Sequence, residues 1–246
     1  MNISIHKNYI SKNFDNRPKN IKIKYVIIHY TETRSFNEAL KLLTSETRKV
    51  SCHYVLDLDG KVYNLVDESK RAWHAGISYW NNEENLNDNS IGIELVNEGE
   101  GKKKRFTKKQ ISSLLNILKF LKKKYNIRTQ DFLGHSDIAP QRKIDPGIYF
   151  PWKLLSESSF GLWVNIKNKH YDFCKSLEKK DEKKFLENLM EIGYFVDSKN
   201  FYIRNENNIK TINSFHRHFL PDNLHNSPSR NSLHVSEILK KLIHQK

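Results

Sequence analysis

The chain has 246 residues, with 42 Lys and Arg against 28 Asp and Glu, a formal net charge of +14, and 37% hydrophobic and 11% aromatic residues. That is enough for one large domain, or a medium domain with a small partner, and the aromatics can supply a real core. No apolar run approaches a bilayer span and the N-terminus lacks the apolar stretch of a signal peptide, which predicts a cytoplasmic protein without a transmembrane segment. The alternative is the periplasm or envelope, reached by another route. The positive charge suits polyanions or carboxylate-rich partners. The basic runs at 102–105 and 122–124 are not interleaved with aromatics as in single-strand binders, so nucleic acid is not expected as a partner. Cys52 and Cys174 are far apart in no metal-like spacing, and read as unpaired thiols in a reducing compartment.

Residues 1–20 are polar and read as an arm laid over the domain. Residues 21–30 (IKIKYVIIHY) alternate and then become apolar, predicting a strand with an exposed start and a buried end. His29 stands near the C-terminal end of that strand, where open α/β sheets place their sites. A buried strand histidine is also often a satisfied core residue. Helical spacing follows over 36–50, and Asp59-Gly60 between two β-rich runs marks a hairpin. The loop RAWHAGISYW carries His74, which fits either a histidine packed on Trp73 or a substrate contact.

SIGIELVN is a buried strand interrupted by Glu94, the most unusual polar placement in the chain. Thr107 and Gln110 form a capping-box pattern, with Ile111, Leu114, Leu115, Leu118 and Leu121 continuing a helix. RTQDFLGH is a short strand delivering His135, and PWKLL starts a short helix. Alternating strands and helices predict an α/β fold, a mixed central β-sheet flanked by helices. Residues 1–155 form this first domain. Residues 156–175 read as a linker, and 176–246 as a small three-helix bundle with helices over 178–192, 208–219 and 235–243. The first of these is expected to turn Phe185, Leu186, Leu189 and Met190 inward.

The stretch GHSDIAPQRKIDPG sets His135 ten positions before Asp145, with Lys143, Pro140 and Pro146 nearby. Histidine nitrogen and carboxylate oxygen suit a borderline ion such as Zn²⁺, and catalytic zinc sites keep three protein ligands. The prolines read as fixing an irregular loop that holds side chains in place.

At HYT, AWHAG, LNDNSIGIELVN and GHSDIAPQRKIDPG with FPW, the chain resembles the zinc-dependent N-acetylmuramoyl-L-alanine amidases of the type 2 family, the AmpD and AmiD kind. The motifs come in the family's order over residues 21–155. FLENLMEIGYFVD and INSFHRHFLP are similar to the patterns of small three-helix peptidoglycan-binding modules. The resemblance implies zinc held by His29, His135 and Asp145, with Glu94 as general base and Lys143 stabilising an oxyanion. His74 would contact substrate or the attacking water. It further implies a hydrolase acting between N-acetylmuramic acid, or its anhydro form, and L-alanine of peptidoglycan stem peptides, in cell-wall turnover or recycling. Its partners would be peptidoglycan or muropeptides, and it is expected to be a monomer. The alternative is a peptidoglycan-binding receptor without turnover; such relatives lack a zinc ligand, and all three are here.

Overall fold

The computed structural model describes residues 4–166 and 176–244. Its elements, in chain order, begin with β1 (Ile5–His6), β2 (Phe14–Asn16), β3 (Tyr25–Tyr30), α1 (Phe36–Leu43), β4 (Tyr54–Leu56) and β5 (Val62–Asn64). There follow β6 (Lys70–Ala72), β7 (Tyr79–Trp80), β8 (Glu83–Glu84), β9 (Ser90–Leu95), α2 (Lys108–Tyr125), β10 (Phe132–Gly134) and α3 (His135–Ile138). The chain continues with α4 (Trp152–Glu157), α5 (Lys179–Ile192), α6 (Glu206–Phe219) and α7 (Arg230–His244).

The main sheet has six strands in the order β1-β5-β4-β9-β3-β10. Strands β4, β9, β3 and β10 run parallel, while β5 turns back antiparallel on β4 through the Asp59-Gly60 hairpin. The fold is therefore the mixed sheet flanked by helices that the residue pattern implies, followed by three C-terminal helices. All six residues of β3 and of β9 are buried, as expected of central parallel strands covered on both faces.

Alternation along β3 assigns the faces. Val26 and Ile28 join Ile91, Ile93 and the apolar stripe of α2, including Leu114, Leu118 and Leu121. Tyr25 and Ile27 face the other way and share one apolar cluster with Phe185, Leu189, Phe215 and Val235 of the C-terminal helices. Beside them α1 covers Val55 and Val96 with Phe36, Ala39 and Leu43. His29 continues the face of Tyr25 and Ile27, and Glu94 pairs with it in the ladder. The site thus opens at the C-terminal ends of β3 and β9, at the rim of what α1 and the C-terminal helices cover.

Several local expectations meet their limits here. The Thr107–Gln110 capping box is formed on both sides, and Asn126 ends α2 in the left-handed conformation. Helix α1 stops at Leu43 rather than continuing to residue 50, since no apolar stripe follows it. The strand expected over 21–30 starts at Tyr25, where its pairing with Ser90 begins. The N-terminal arm contributes two strands, β1 on β5 and β2 on β6. Met190, expected inward, is exposed on α5. Cys52 is buried with its thiol pushed up by burial. Cys174 and residues 167–175 of the expected linker lie outside the described residues.

Candidate metal centre and active site

Three side chains from three elements converge beyond the sheet's C-terminal edge. His29 comes from β3, His135 from the first position of α3, and Asp145 from the turns that follow. His29 Nδ1 lies 3.0 Å from His135 Nδ1 and 3.0 Å from Asp145 Oδ2, and His135 Nδ1 lies 3.1 Å from Asp145 Oδ2. All three residues are buried, and among the described residues this is the group whose donor atoms could hold a metal ion.

The hydrogen-bond directions around the triangle decide its protonation. Ser90 Oγ donates its only proton to the Leu86 carbonyl, so it accepts from His74 Nε2 at 3.3 Å. His74 Nδ1 is then an acceptor and takes the proton of His29 Nε2 at 3.1 Å. His135 Nε2 donates to the Ala75 carbonyl at 3.1 Å. Each neutral imidazole has one N–H, and in both it points away from the triangle. Two bare Nδ1 lone pairs therefore face a carboxylate oxygen, an arrangement that repels itself unless a cation sits among them.

The donor set and spacing suit zinc. Ligand atoms about a tetrahedral ion at roughly 2.0 Å are about 3.3 Å apart, close to the separations here. Burial pushes the His29 imidazole down to about 4, with His135 adding to the effect, so its lone pair is free at neutral pH.

Residues 74 and 75 of the AWHAG loop thus each fix one imidazole. The loop is itself held by Asn87, whose side-chain oxygen accepts from the backbone N–H groups of His74 and Ala75 at 3.0 and 2.7 Å. Gly92 completes the packing: a Cβ there would come within 2.3 Å of the His74 ring. His74 is buried behind His29, although its ring also reaches the wall of the site pocket. Its contacts orient the His29 ring.

Glu94 stands opposite His29 in the β3–β9 ladder and lines the same pocket. Its Oε2 is buried with no hydrogen-bond partner. Burial pushes its carboxyl well up, Asp145 pushes the same way, and Lys143 opposes them. Lys143 lies between two turns and lines the pocket beside Asp145. The pocket, about 380 Å³, is also lined by Arg48 and Arg142. Sequence reading missed Asn87, Ser90 and Arg48, although Asn87 and Ser90 lie within the recognised LNDNSIGIELVN motif.

The family profile described as N-acetylmuramoyl-L-alanine amidase matches residues 19–148. The chain belongs to that family, Amidase_2. Within it, the chain is 35% identical over 215 residues to N-acetylmuramoyl-L-alanine amidase AmiD of Escherichia coli K12, covering 81% of this chain and 76% of AmiD. The solved structure of that amidase, in complex with the substrate anhydro-N-acetylmuramic acid-L-Ala-D-gamma-Glu-L-Lys, superposes with a TM-score of 0.80 at 30% identity and covers 94% of both chains. AmpDh3 from Pseudomonas aeruginosa, in complex with an anhydromuramic pentapeptide, gives a TM-score of 0.77 at 26% identity over 96% of this chain and 99% of that one. The 1,6-anhydro-N-acetylmuramyl-L-alanine amidase AmpD of Haemophilus influenzae is 42% identical over 106 residues, covering 43% of this chain and 56% of AmpD. The Amidase_2 match ends before the C-terminal helices, while the match to the AmiD structure includes most of them. Among the described residues no helix is long and apolar enough to cross a membrane.

Proposed function

We propose that the chain is a zinc-dependent amidase. It would hydrolyse the bond between the lactyl group of N-acetylmuramic acid, or its anhydro form, and L-alanine of a stem peptide, in peptidoglycan turnover or recycling. The observation that carries this is the triangle of His29 Nδ1, His135 Nδ1 and Asp145 Oδ2 beside the unpartnered carboxylate of Glu94. Zinc held by that triangle would activate a water and polarise the amide carbonyl.

The chain's own groups divide the remaining work. Glu94 accepts the proton of the attacking water and returns it to the departing amine, a task suited to a buried carboxyl whose basicity is raised. Lys143 on the pocket wall stabilises the negative oxygen of the tetrahedral intermediate. His74 and the Ala75 carbonyl hold the two imidazoles in the tautomer that leaves Nδ1 free. Arg48, which lines the pocket, offers a cation to the carboxylates of a stem peptide.

In this reading residues 1–155 carry the chemistry, 156–175 connect, and 176–246 serve the substrate side. A groove of about 380 Å³, lined by Ile77, Tyr79, Ile138, Arg142, Phe195 and Asn207, runs between the two parts. Arg142 lines both this groove and the site pocket, which supports a substrate longer than one muropeptide. The test is mass spectrometry of products from anhydro-N-acetylmuramyl peptides and from intact sacculi. Release of a peptide with a free L-alanine amine is expected, abolished by a chelator and restored by zinc. A protein that binds muropeptides and releases nothing would instead be a receptor.

A further inference from the structure

The motif INSFHRHFLP, similar to a wall-binding pattern, turns three of its polar side chains toward the loop that carries His135 and Asp145. Ser214, Arg217 and His218 stand at i, i+3 and i+4 on α6, so they share one face. Ser214 Oγ donates to the Ser136 carbonyl at 2.6 Å. The Ser136 N–H in turn donates to the carbonyl of Asp145 at 2.8 Å. His218 Nδ1 donates to Asp137 Oδ2 at 2.8 Å, and the Tyr194 hydroxyl donates to Asp137 Oδ1 at 2.7 Å. Arg217 grips Glu100 through Nε at 2.9 Å, and Glu100 Oε2 accepts from the Ile148 N–H at 3.0 Å, just beyond the Asp145 turn.

These anchors are inside the protein. Asp137 and Tyr194 are each 1% exposed, and the His218 ring stacks on Trp152 at 4.0 Å. Of the three donors to the Asp137 carboxylate, only the Gly134 N–H belongs to its own segment. The other two come from the C-terminal helical part. His135 opens the four-residue α3 and Asp145 lies in the turns beyond it, so neither is held in place by a long regular element.

We propose that the C-terminal helical part clamps the metal centre, with Tyr194, Ser214 and His218 as positioning residues for His135 and Asp145. Metal affinity then depends on residues that never touch the metal. This rests on the reading of His29, His135 and Asp145 as zinc ligands, and it differs from a role in holding cell wall.

The experiment uses the full chain and zinc itself. Zinc affinity is measured by competition with a chelator for wild type and for the double variant Tyr194→Phe/His218→Phe, which keeps both rings and removes both donors. The ion should bind on the order of ten- to a hundred-fold more weakly in the double variant, the range for residues that orient ligands. His218→Asn, which restores a donor near the Nδ1 position, should recover most of the affinity in the Tyr194→Phe background. If the double variant does not fold, Ser214→Ala removes one anchor alone and should still weaken zinc several-fold. Wild-type zinc affinity in a folded double variant, or in Ser214→Ala where that is the variant read, would overturn the clamp and leave the metal reading intact. Wild type that binds no stoichiometric zinc would overturn both.

Discussion

Glu94 faces His29 directly across the parallel β3–β9 ladder, so a buried carboxylate and a buried imidazole project from the same sheet face one strand apart. In a ladder of this kind the spacing between partners is held by backbone hydrogen bonds, not by the side chains. The Glu94 carboxylate can therefore keep its place although its buried Oε2 has no hydrogen-bond partner.

Glu94→Gln should lower turnover by roughly a hundred- to ten-thousand-fold, the usual scale of general-base help. Zinc content should persist, and the melting temperature should hold or rise, because the variant no longer buries an ionisable group that lacks a partner. Since the base must be deprotonated and its carboxyl is pushed up, wild-type kcat/KM should climb with pH through that raised value. Near-normal turnover in Glu94→Gln would remove Glu94 from the mechanism.

His74→Phe keeps a ring over Gly92 but deletes the acceptor of the His29 Nε2 proton. Zinc affinity should fall on the order of ten- to a hundred-fold, measured by chelator competition. A variant with unchanged zinc affinity and a raised KM would return His74 to the role of substrate contact.

The metal-free protein should lose stability in mild acid. His53 and His216 are each pushed down by burial, to about 3 and about 4 respectively, with Arg17 adding to the effect at His53. A depressed folded-state value means the unfolded chain takes up protons first. The stabilisation is complete above the ordinary histidine value and drains away as pH falls toward these lowered values. For His216 the shift from 6.5 to about 4 corresponds to about 3 kcal/mol. Thermal melts between pH 7 and pH 4 should show the decline, and a flat melting temperature across that window would refute it.

Phe195→Ala and Ile77→Ser should leave hydrolysis of a monomeric muropeptide within a few-fold of wild type. Both line the groove rather than the metal pocket, and Ile77 is 87% exposed. Binding to intact sacculi, read by co-sedimentation, should weaken. Equal loss on both substrates would mean that the groove shapes the catalytic pocket instead.

Local signals set much of this in advance. The ten-residue spacing of His135 and Asp145, the lone carboxylate in IGIEL and the apolar end of β3 each carry chemistry or burial in the residue types themselves, so these residues stood out as candidates without coordinates. The Thr107–Gln110 cap and the Asp59-Gly60 turn were readable for the same reason, since their hydrogen bonds close within a few residues. What the tertiary structure alone decided are contacts between residues remote in sequence. Ser90 and His74 setting the proton on His29, Ala75 setting that on His135, and Tyr194 and His218 closing on Asp137 span 16 to 81 positions. No local periodicity encodes such pairs, because their partners are chosen by how sheet and helices pack. That packing turned a helix resembling a wall-binding motif inward onto the loop that carries His135 and Asp145.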